Sequence, residues 1–296
     1  MFKNRMNRRT FIKTTTLIGT AMIGIHPFAR SWDNDPTLEI AMPILFVGHG
    51  SPMNAIEQNS FTDTWKQIAK EISKPKAIMV VSAHWETVGT KVTSIERPRT
   101  IHDFGGFPKA LFDVQYPAPG SPEFAKHTQE LSIHWKIDED HEWGLDHGTW
   151  SVLMSMYPDA NIPVYQMSLD VRKKPEEQFA LAQDLYELRK RGVLIIGSGN
   201  VVHNLRMIKW DNSAFDWAEN FTQTVKRIVD ANDFNSLIHY TSLENYKYAI
   251  PTPEHYLPLL YCLGLKTKTD SITYFNDVTT NGSISMLGLL IHSDKL

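Results

Sequence analysis

Continuous apolar runs at residues 42–47, 77–83 and 193–196 predict strands buried on both faces, and glycines close the first of them. Residues 163–169 read as a further strand, and 91–95 alternate as a strand does. Between them the period changes. Phe61, Trp65, Ile68, Ala69 and Ile72 recur at helical spacing before Pro75 stops the run. Residues 123–131 form a second helix, and 175–191 an amphipathic third, closed by Gly192. Residues 215–231 place Trp217, Phe221, Val225 and Ile228 on one side of a long helix, and 254–263 give an apolar helix entered through Pro251 and Pro253. Residues 272–275 and 283–291 read as closing antiparallel strands. Apolar strands separated by helices imply βαβ units, so the expected fold is a single α/β domain with a central mixed, largely parallel sheet and helices on both faces. Two stretches stay irregular: 97–122, rich in proline, glycine and aromatics, reads as an ordered pocket wall, and 143–150 as a loop with His147 between glycines.

Composition bounds the function. A net charge of −3 argues against a nucleic-acid role, which shows as a basic patch or stripe. The one cysteine, Cys262, excludes an intrachain disulfide and any thiolate-cluster metal site. The first thirty residues are a separate object. Asn7-Arg8-Arg9-Thr10-Phe11-Ile12-Lys13 has the pattern of a twin-arginine export signal, and residues 14–25 add an apolar stretch too short to span a membrane. The expected division is a signal peptide over residues 1–31 and a catalytic domain over 32–296, exported to the periplasm, with no membrane span beyond the signal. Full-length protein found in the cytoplasm on cell fractionation would overturn that expectation.

The chemistry lies in the histidines. His49 follows the first strand in Gly48-His49-Gly50-Ser51-Pro52, His84 follows the second in Ser82-Ala83-His84-Trp85, and His203 follows residues 193–196 through Gly197-Ser198-Gly199-Asn200. That grammar presents side chains at the carboxyl ends of strands, where α/β sheets bind ligands. One buried histidine is usually a hydrogen-bonded structural residue; three at strand ends are not something core packing asks for. Imidazole is also the commonest metal ligand, so the set reads as a mononuclear metal site. In Pro253-Glu254-His255-Tyr256, either Glu254 or His255 can complete it, and on a helix the two diverge by about 100°. Histidines with a carboxylate suit Fe(II), whereas three histidines and a water suit zinc. His147, beside Asp146 that can fix its tautomer, is a candidate general acid–base. His102 with Asp103 reads first as a loop-structural pair and second as a substrate contact. Trp85, Phe104 and Tyr256 are core candidates that would otherwise wall an aromatic pocket.

Together with Thr100-Ile101-His102-Asp103-Phe104-Gly105-Gly106-Phe107, Asp146-His147-Gly148 and Gly199-Asn200-Val201-Val202-His203-Asn204, these motifs occur in the same order in another group of proteins. From about Met42 onward the chain resembles the class III (LigB-type) extradiol ring-cleavage dioxygenases, in particular the DOPA 4,5-dioxygenase branch with its bacterial and plant betalain members. The export signal is a departure, since members of that branch are mostly cytosolic. The resemblance implies an enzyme that inserts O2 into a catechol ring, with a DOPA-like 3,4-dihydroxyphenyl substrate and a ring-opened semialdehyde product. It implies one divalent metal per chain, Fe(II) for activity, with Zn(II) expected in purified protein because zinc outcompetes ferrous iron at nitrogen sites. The positions matching His49, His84 and His255 are metal ligands in that family. The one matching His203 is a further ligand or an acid–base, and the one matching His147 lies near the substrate. In the protocatechuate relatives a glutamate is the third ligand, which keeps Glu254 in play. His102, Asp103, Phe104, Trp85 and Tyr256 are then the expected substrate contacts. The partners are a small catechol and O2. Two rivals remain: a zinc hydrolase or amidase with Glu254 as base, and a non-catalytic periplasmic metal-binding protein.

Overall fold

The computed structural model describes residues 37–293, so the expected signal over 1–31 lies outside the described residues, as does the start of the catalytic domain expected at 32. An eight-stranded mixed sheet runs through the rest. Its strands in chain order are β1 (Ile44–Gly48), β2 (Ala77–Thr87), β3 (Thr90–Thr93), β4 (Ile137–Asp140), β5 (Val164–Asp170), β6 (Val193–Gly199), β7 (Asp270–Phe275) and β10 (Gly288–Ser293); β8 (Thr279–Thr280) and β9 (Ile284–Ser285) form a separate two-stranded ribbon. The spatial order is β4-β3-β5-β2-β6-β1-β10-β7. β5, β2, β6 and β1 are mutually parallel at the centre, while β10 pairs antiparallel with β1 and β3 antiparallel with β5.

Both faces of the central strands are buried, which is why their sequences read as unbroken apolar runs. Leu45, Val47, Ile78, Val80, Leu194 and Ile196 share a cluster with Trp65 of α1 (Ser60–Glu71) and with Trp150 and Leu153 of a helix over His147–Met156. With α2 (Pro122–Leu131) preceding it, that helix is α3. The alternate residues, among them Ile44, Phe46, Met79 and Ile195, are equally buried. On that side α4 (Pro175–Asp184) packs against α6 (Leu257–Gly264), and α6 lies on β6, β1 and β2; the long α5 (Asp216–Asp230) comes between them in the chain.

Four expectations shift. The loop expected over 143–150 is half helix, because Asp146 caps α3 by accepting from the Thr149 N–H. The helix expected over 175–191 breaks after Asp184 and resumes at Glu187–Lys190. Residues 283–291 divide into β9 and the start of β10. β4, Ile-Asp-Glu-Asp, carries no apolar alternation to announce it; it is an edge strand blunted by acids. Among the described residues, no helix is long and apolar enough to cross a membrane.

Candidate active site

The carboxyl ends of β1, β2 and β6 converge on one point. His49 leaves β1 directly, with its N–H donating to the Gly199 carbonyl at 3.1 Å. Its Nδ1 lies 3.0 Å from Ser198 Oγ, and Ser198 Oγ lies 2.5 Å from the Gly148 carbonyl. A hydroxyl has one proton, which the carbonyl takes, so Ser198 accepts from His49 Nδ1–H. His49 is thereby held in the tautomer whose Nε2 is a bare lone pair. His84 is inside β2 rather than after it, where the register against β5 shifts between Val81 and Glu86. Its N–H donates to Ser82 Oγ, and its Nδ1 stands 3.3 Å from Asp103 Oδ2. Its Nε2 points at His49 Nε2, 3.1 Å away.

His255 precedes α6 in a turn. Asn200 N–H donates to its carbonyl at 2.8 Å, and a Cβ at Gly199 would stand 2.2 Å from that oxygen, so only glycine lets the two segments meet. His255 Nδ1 lies 3.0 Å from Glu254 Oε1, which also accepts from Thr252 Oγ1; His255 Nε2 is buried without a hydrogen-bond partner. The divergence expected of a helical Glu254–His255 pair therefore does not occur. The carboxylate lies against its neighbour's Nδ1, the arrangement by which a carboxylate orients a ligating imidazole. His147, at the first turn of α3, has Nδ1 3.0 Å from Asp103 Oδ1 and its ring 3.9 Å from that of His84. The acid beside it is Asp103, not the expected Asp146, and the His147 backbone N–H donates to the same Oδ1 at 2.9 Å. Asp146 instead binds Ser82 Oγ at 2.7 Å and Gln166 Nε2 at 2.6 Å, so one buried carboxylate holds both the cap of α3 and the approach to His84. His203 stacks on His255, centroids 3.5 Å apart and planes 9° from parallel.

Burial sets the electrostatics. It pushes His49 and His255 well below the ordinary imidazole value, aided by the neighbouring rings. It takes His84 to about 3 and His203 to about 4. Burial works against ionisation of Asp103, but hydrogen bonds from His147 and the adjacent rings outweigh it and hold the carboxyl low. The result is a carboxylate beside the neutral His84 ring. Donor atoms of His49, His84 and His147 lie within 4.8 Å of one another, as do those of His203, Glu254 and His255. Two lone pairs facing each other at 3.1 Å repel unless a cation lies between them. Nitrogens sharing a metal at about 2.0–2.1 Å stand about 3 Å apart, so the donor set fits one divalent ion.

A cavity of about 750 Å³ opens over these rings. Asp103 and Phe104 line it. Trp85, Tyr256 and His102, also expected as substrate contacts, do not line it. Trp85 is buried in a stack with Trp143; Tyr256 is buried, packs on Tyr240 and donates to the Leu237 carbonyl; His102 lies with its Nε2 3.0 Å from the Val114 carbonyl, against Trp150. Each is adjacent in sequence to a residue lining the cavity (His84, His255 and Asp103 respectively) yet lies outside the lining itself. Sequence reasoning also passed over Ser198, read as turn filler, and the lip formed by Leu205, Ile208 and Trp210. On β6, Ser198 stands in register with Val47 and Ser82, each two residues before His49 and His84, a relation that only the folded sheet reveals.

Residues 42–283 match the family described as the catalytic LigB subunit of aromatic ring-opening dioxygenase. A 4,5-DOPA dioxygenase extradiol of Escherichia coli K12 is 47% identical over 256 residues, covering 84% of this chain and 94% of that one. The Beta vulgaris protein of the same name is 39% identical over 229 residues, 74% of this chain and 85% of its own. The crystal structure of an uncharacterized protein from Escherichia coli K12 superposes with a TM-score of 0.73 at 42% identity, covering 84% of this chain and 99% of that chain.

Proposed function

We infer, because the chain belongs to the LigB family of aromatic ring-opening dioxygenases and is an extradiol ring-cleavage enzyme, that it opens a DOPA-like 3,4-dihydroxyphenyl ring using one divalent metal held by Nε2 of His49, His84 and His255, whose rings lie 5.0–5.3 Å apart. One observation carries the assignment of ligands: each of these rings has its Nδ1 against an acceptor and its Nε2 left without one, apart from the facing imidazole. Glu254 then orients His255 and is not itself the ligand. A bound Fe(II) supplies the hold on the two catechol oxygens and the electron exchange that lets O2 react.

The remaining groups move protons and shape the pocket. His203 enters neutral, so its lone pair is free to take the catechol proton, and the negative charge left on the ring then raises its affinity for that proton. His147, beside Asp103 on the other side, is the second proton-transfer group. Phe104 packs edge-on to His147 and closes that wall against water. Both oxygen atoms of O2 end in the product: a ring C–C bond beside the diol breaks, giving one aldehyde and one carboxylic acid, with no other reductant needed.

Anaerobic loading with Fe(II), then air and a catechol, tests this reading. Expected are O2 uptake equal to the catechol consumed, a yellow ring-opened product, and no turnover with zinc. Loss of O2 uptake under every catechol and metal would overturn it. His203→Ala sharpens the role of that ring: the metal content holds and turnover falls ~10²-fold. If the metal leaves with the ring, His203 is a fourth ligand instead.

A further inference from the structure

The lip of the cavity that continues from His203 is tied at its roots and bare at its tip. A short helical turn (Leu205–Met207) follows His203. Asn204 fixes its entry: Nδ2 donates to the Tyr248 carbonyl at 2.8 Å, and the backbone N–H donates to the Ser283 carbonyl at 3.2 Å. Beyond the turn, Lys209 N–H donates to the Asn281 carbonyl at 2.9 Å. Gly282 ties the far side, donating to the Ser213 carbonyl at 2.8 Å and accepting from Phe215 N–H at 2.9 Å. Between these ties stand Trp210, Asp211 and Asn212, and Asp211 Oδ1 accepts from Ser213 N–H at 2.8 Å. The backbone of the lip is therefore held, and what can swing is the Trp210 side chain.

Trp210 lines the cavity yet is 90% exposed, and among the described residues its indole makes no ring stack and no hydrogen bond. Other tryptophans are used differently: Trp65 and Trp150 are fully buried, Trp85 stacks on Trp143, and Trp217 stacks on Phe215. Leu205, on the same lip, also lines the cavity and is 62% exposed. A bare indole carries a large apolar area that gains by being covered, and nothing in the fold covers this one. The floor has the complementary need. A catechol seated on the buried imidazoles has Phe104 beside it, but its outer side opens into the rest of a cavity of about 750 Å³. Asn59, Asn212, Asn281 and Glu57 share the mouth, and these polar groups suit the polar substituent of a DOPA-like ring rather than the ring itself. We propose that Trp210 turns inward over the seated catechol and packs on its ring, binding the aromatic part of the substrate and shutting water out while O2 reacts.

This inference rests on the ring-cleavage reading, and zinc-loaded protein, which binds without turnover, separates the two. Fluorine NMR of protein carrying 5-fluorotryptophan identifies Trp210 as the resonance missing from Trp210→Phe. On adding DOPA, that resonance is expected to move and to lose most of its H2O/D2O solvent shift, as a covered indole does. Calorimetry on the same samples gives Kd. Trp210→Ala is expected to weaken DOPA binding about tenfold, and Trp210→Phe to recover most of it. Metal content and Tm stay unchanged in both variants, because the side chain supports no packing in the free protein. O2 uptake by the Fe(II) enzyme should show the same rise in KM for Trp210→Ala. A Trp210 resonance that keeps its solvent shift with DOPA bound, an alanine variant that binds DOPA as tightly as the wild type, or one that loses Tm overturns the inference, while cleavage of DOPA leaves the ring-cleavage reading standing. Failure of both DOPA and 4-methylcatechol to be bound or cleaved brings down both.

Discussion

The two ends of the parallel strands bury polar groups in opposite ways. At the amino ends, Arg189 is fully buried before β6. Its Nε donates to the Met42 carbonyl at 2.7 Å, and its Nη1 and Nη2 reach Asp270 at 2.8 and 3.0 Å. Nη1 also reaches the Leu265 carbonyl at 3.1 Å, so one guanidinium ties the approaches to β1, β6 and β7 to the end of α6. Every charge there has its counter-charge. At the carboxyl ends, five imidazoles crowd together, and His49 Nε2 and His84 Nε2 face each other at 3.1 Å. A satisfied buried polar cluster holds a fold; one whose lone pairs converge unmet is a site waiting on a ligand.

The largest expected effect breaks the amino end. Arg189→Ala leaves Asp270 buried and unpaired, which costs about 3–5 kcal/mol of stability. Thermal unfolding checks it, with metal content per folded chain unchanged. A loss of metal at full stability would mean the two ends are not separable.

Smaller, and at the other end, is Ser198→Ala. The hydroxyl is what forces His49 Nδ1 to carry the proton, so without it the ring is free to present the wrong nitrogen. Loss of such an orienting partner typically weakens metal binding 10–100-fold. A competition titration against a chelator measures it. An unchanged affinity would show that packing alone fixes the His49 ring.

The same contrast explains what could be read from the sequence. Parallel strands buried on both faces leave unbroken apolar runs, and glycines at their ends mark the turns, so the sheet's centre and the place of His49 and His203 were legible. The single α/β domain with its mixed, largely parallel sheet follows from that alone. β4 was not, because an edge strand with three acids in four residues has no buried face to write into the pattern. Nor was the start of α3, where Gly148 reads as a breaker. A Cβ there would come within 2.6 Å of Ser82 Oγ and 2.9 Å of the His84 ring, so the glycine serves a close contact between segments 64 residues apart, not a loop. Side-chain direction was the other blind spot. Trp85, Tyr256 and His102 neighbour functional residues in sequence, but adjacency in a strand or turn sends the next side chain elsewhere. Asp103 lines the cavity, yet its partners, His84 and His147, become its neighbours only through the fold.

The mildest test changes no residue. Burial holds His49, His84, His203 and His255 below the ordinary imidazole pKa of about 6.5, with His203 at about 4 and His84 at about 3. Above pH 6.5 they are neutral folded or unfolded, so they cost nothing. As the pH falls below 6.5 the unfolded chain takes up protons that the folded site refuses, and stability declines through pH 4 and onward to about 3. Asp270 answers in a different window. Burial raises its pKa, but the Arg189 hydrogen bonds outweigh that and hold it below 3.8, so the stability it contributes is complete above pH 3.8 and is lost only as the pH drops through its folded value. Metal-free protein should therefore show a Tm that slides down from pH 6.5 to 4, before the amino-end pair titrates. Asp270→Asn should shrink the loss below pH 3.8, which His84 and the other carboxyls held low also share, and leave the upper limb unchanged. A Tm that stays flat between pH 6.5 and 4 would mean the imidazoles are hydrated enough to protonate in place, and the carboxyl end would then be a wet cleft rather than the dry counterpart of the Arg189 cluster.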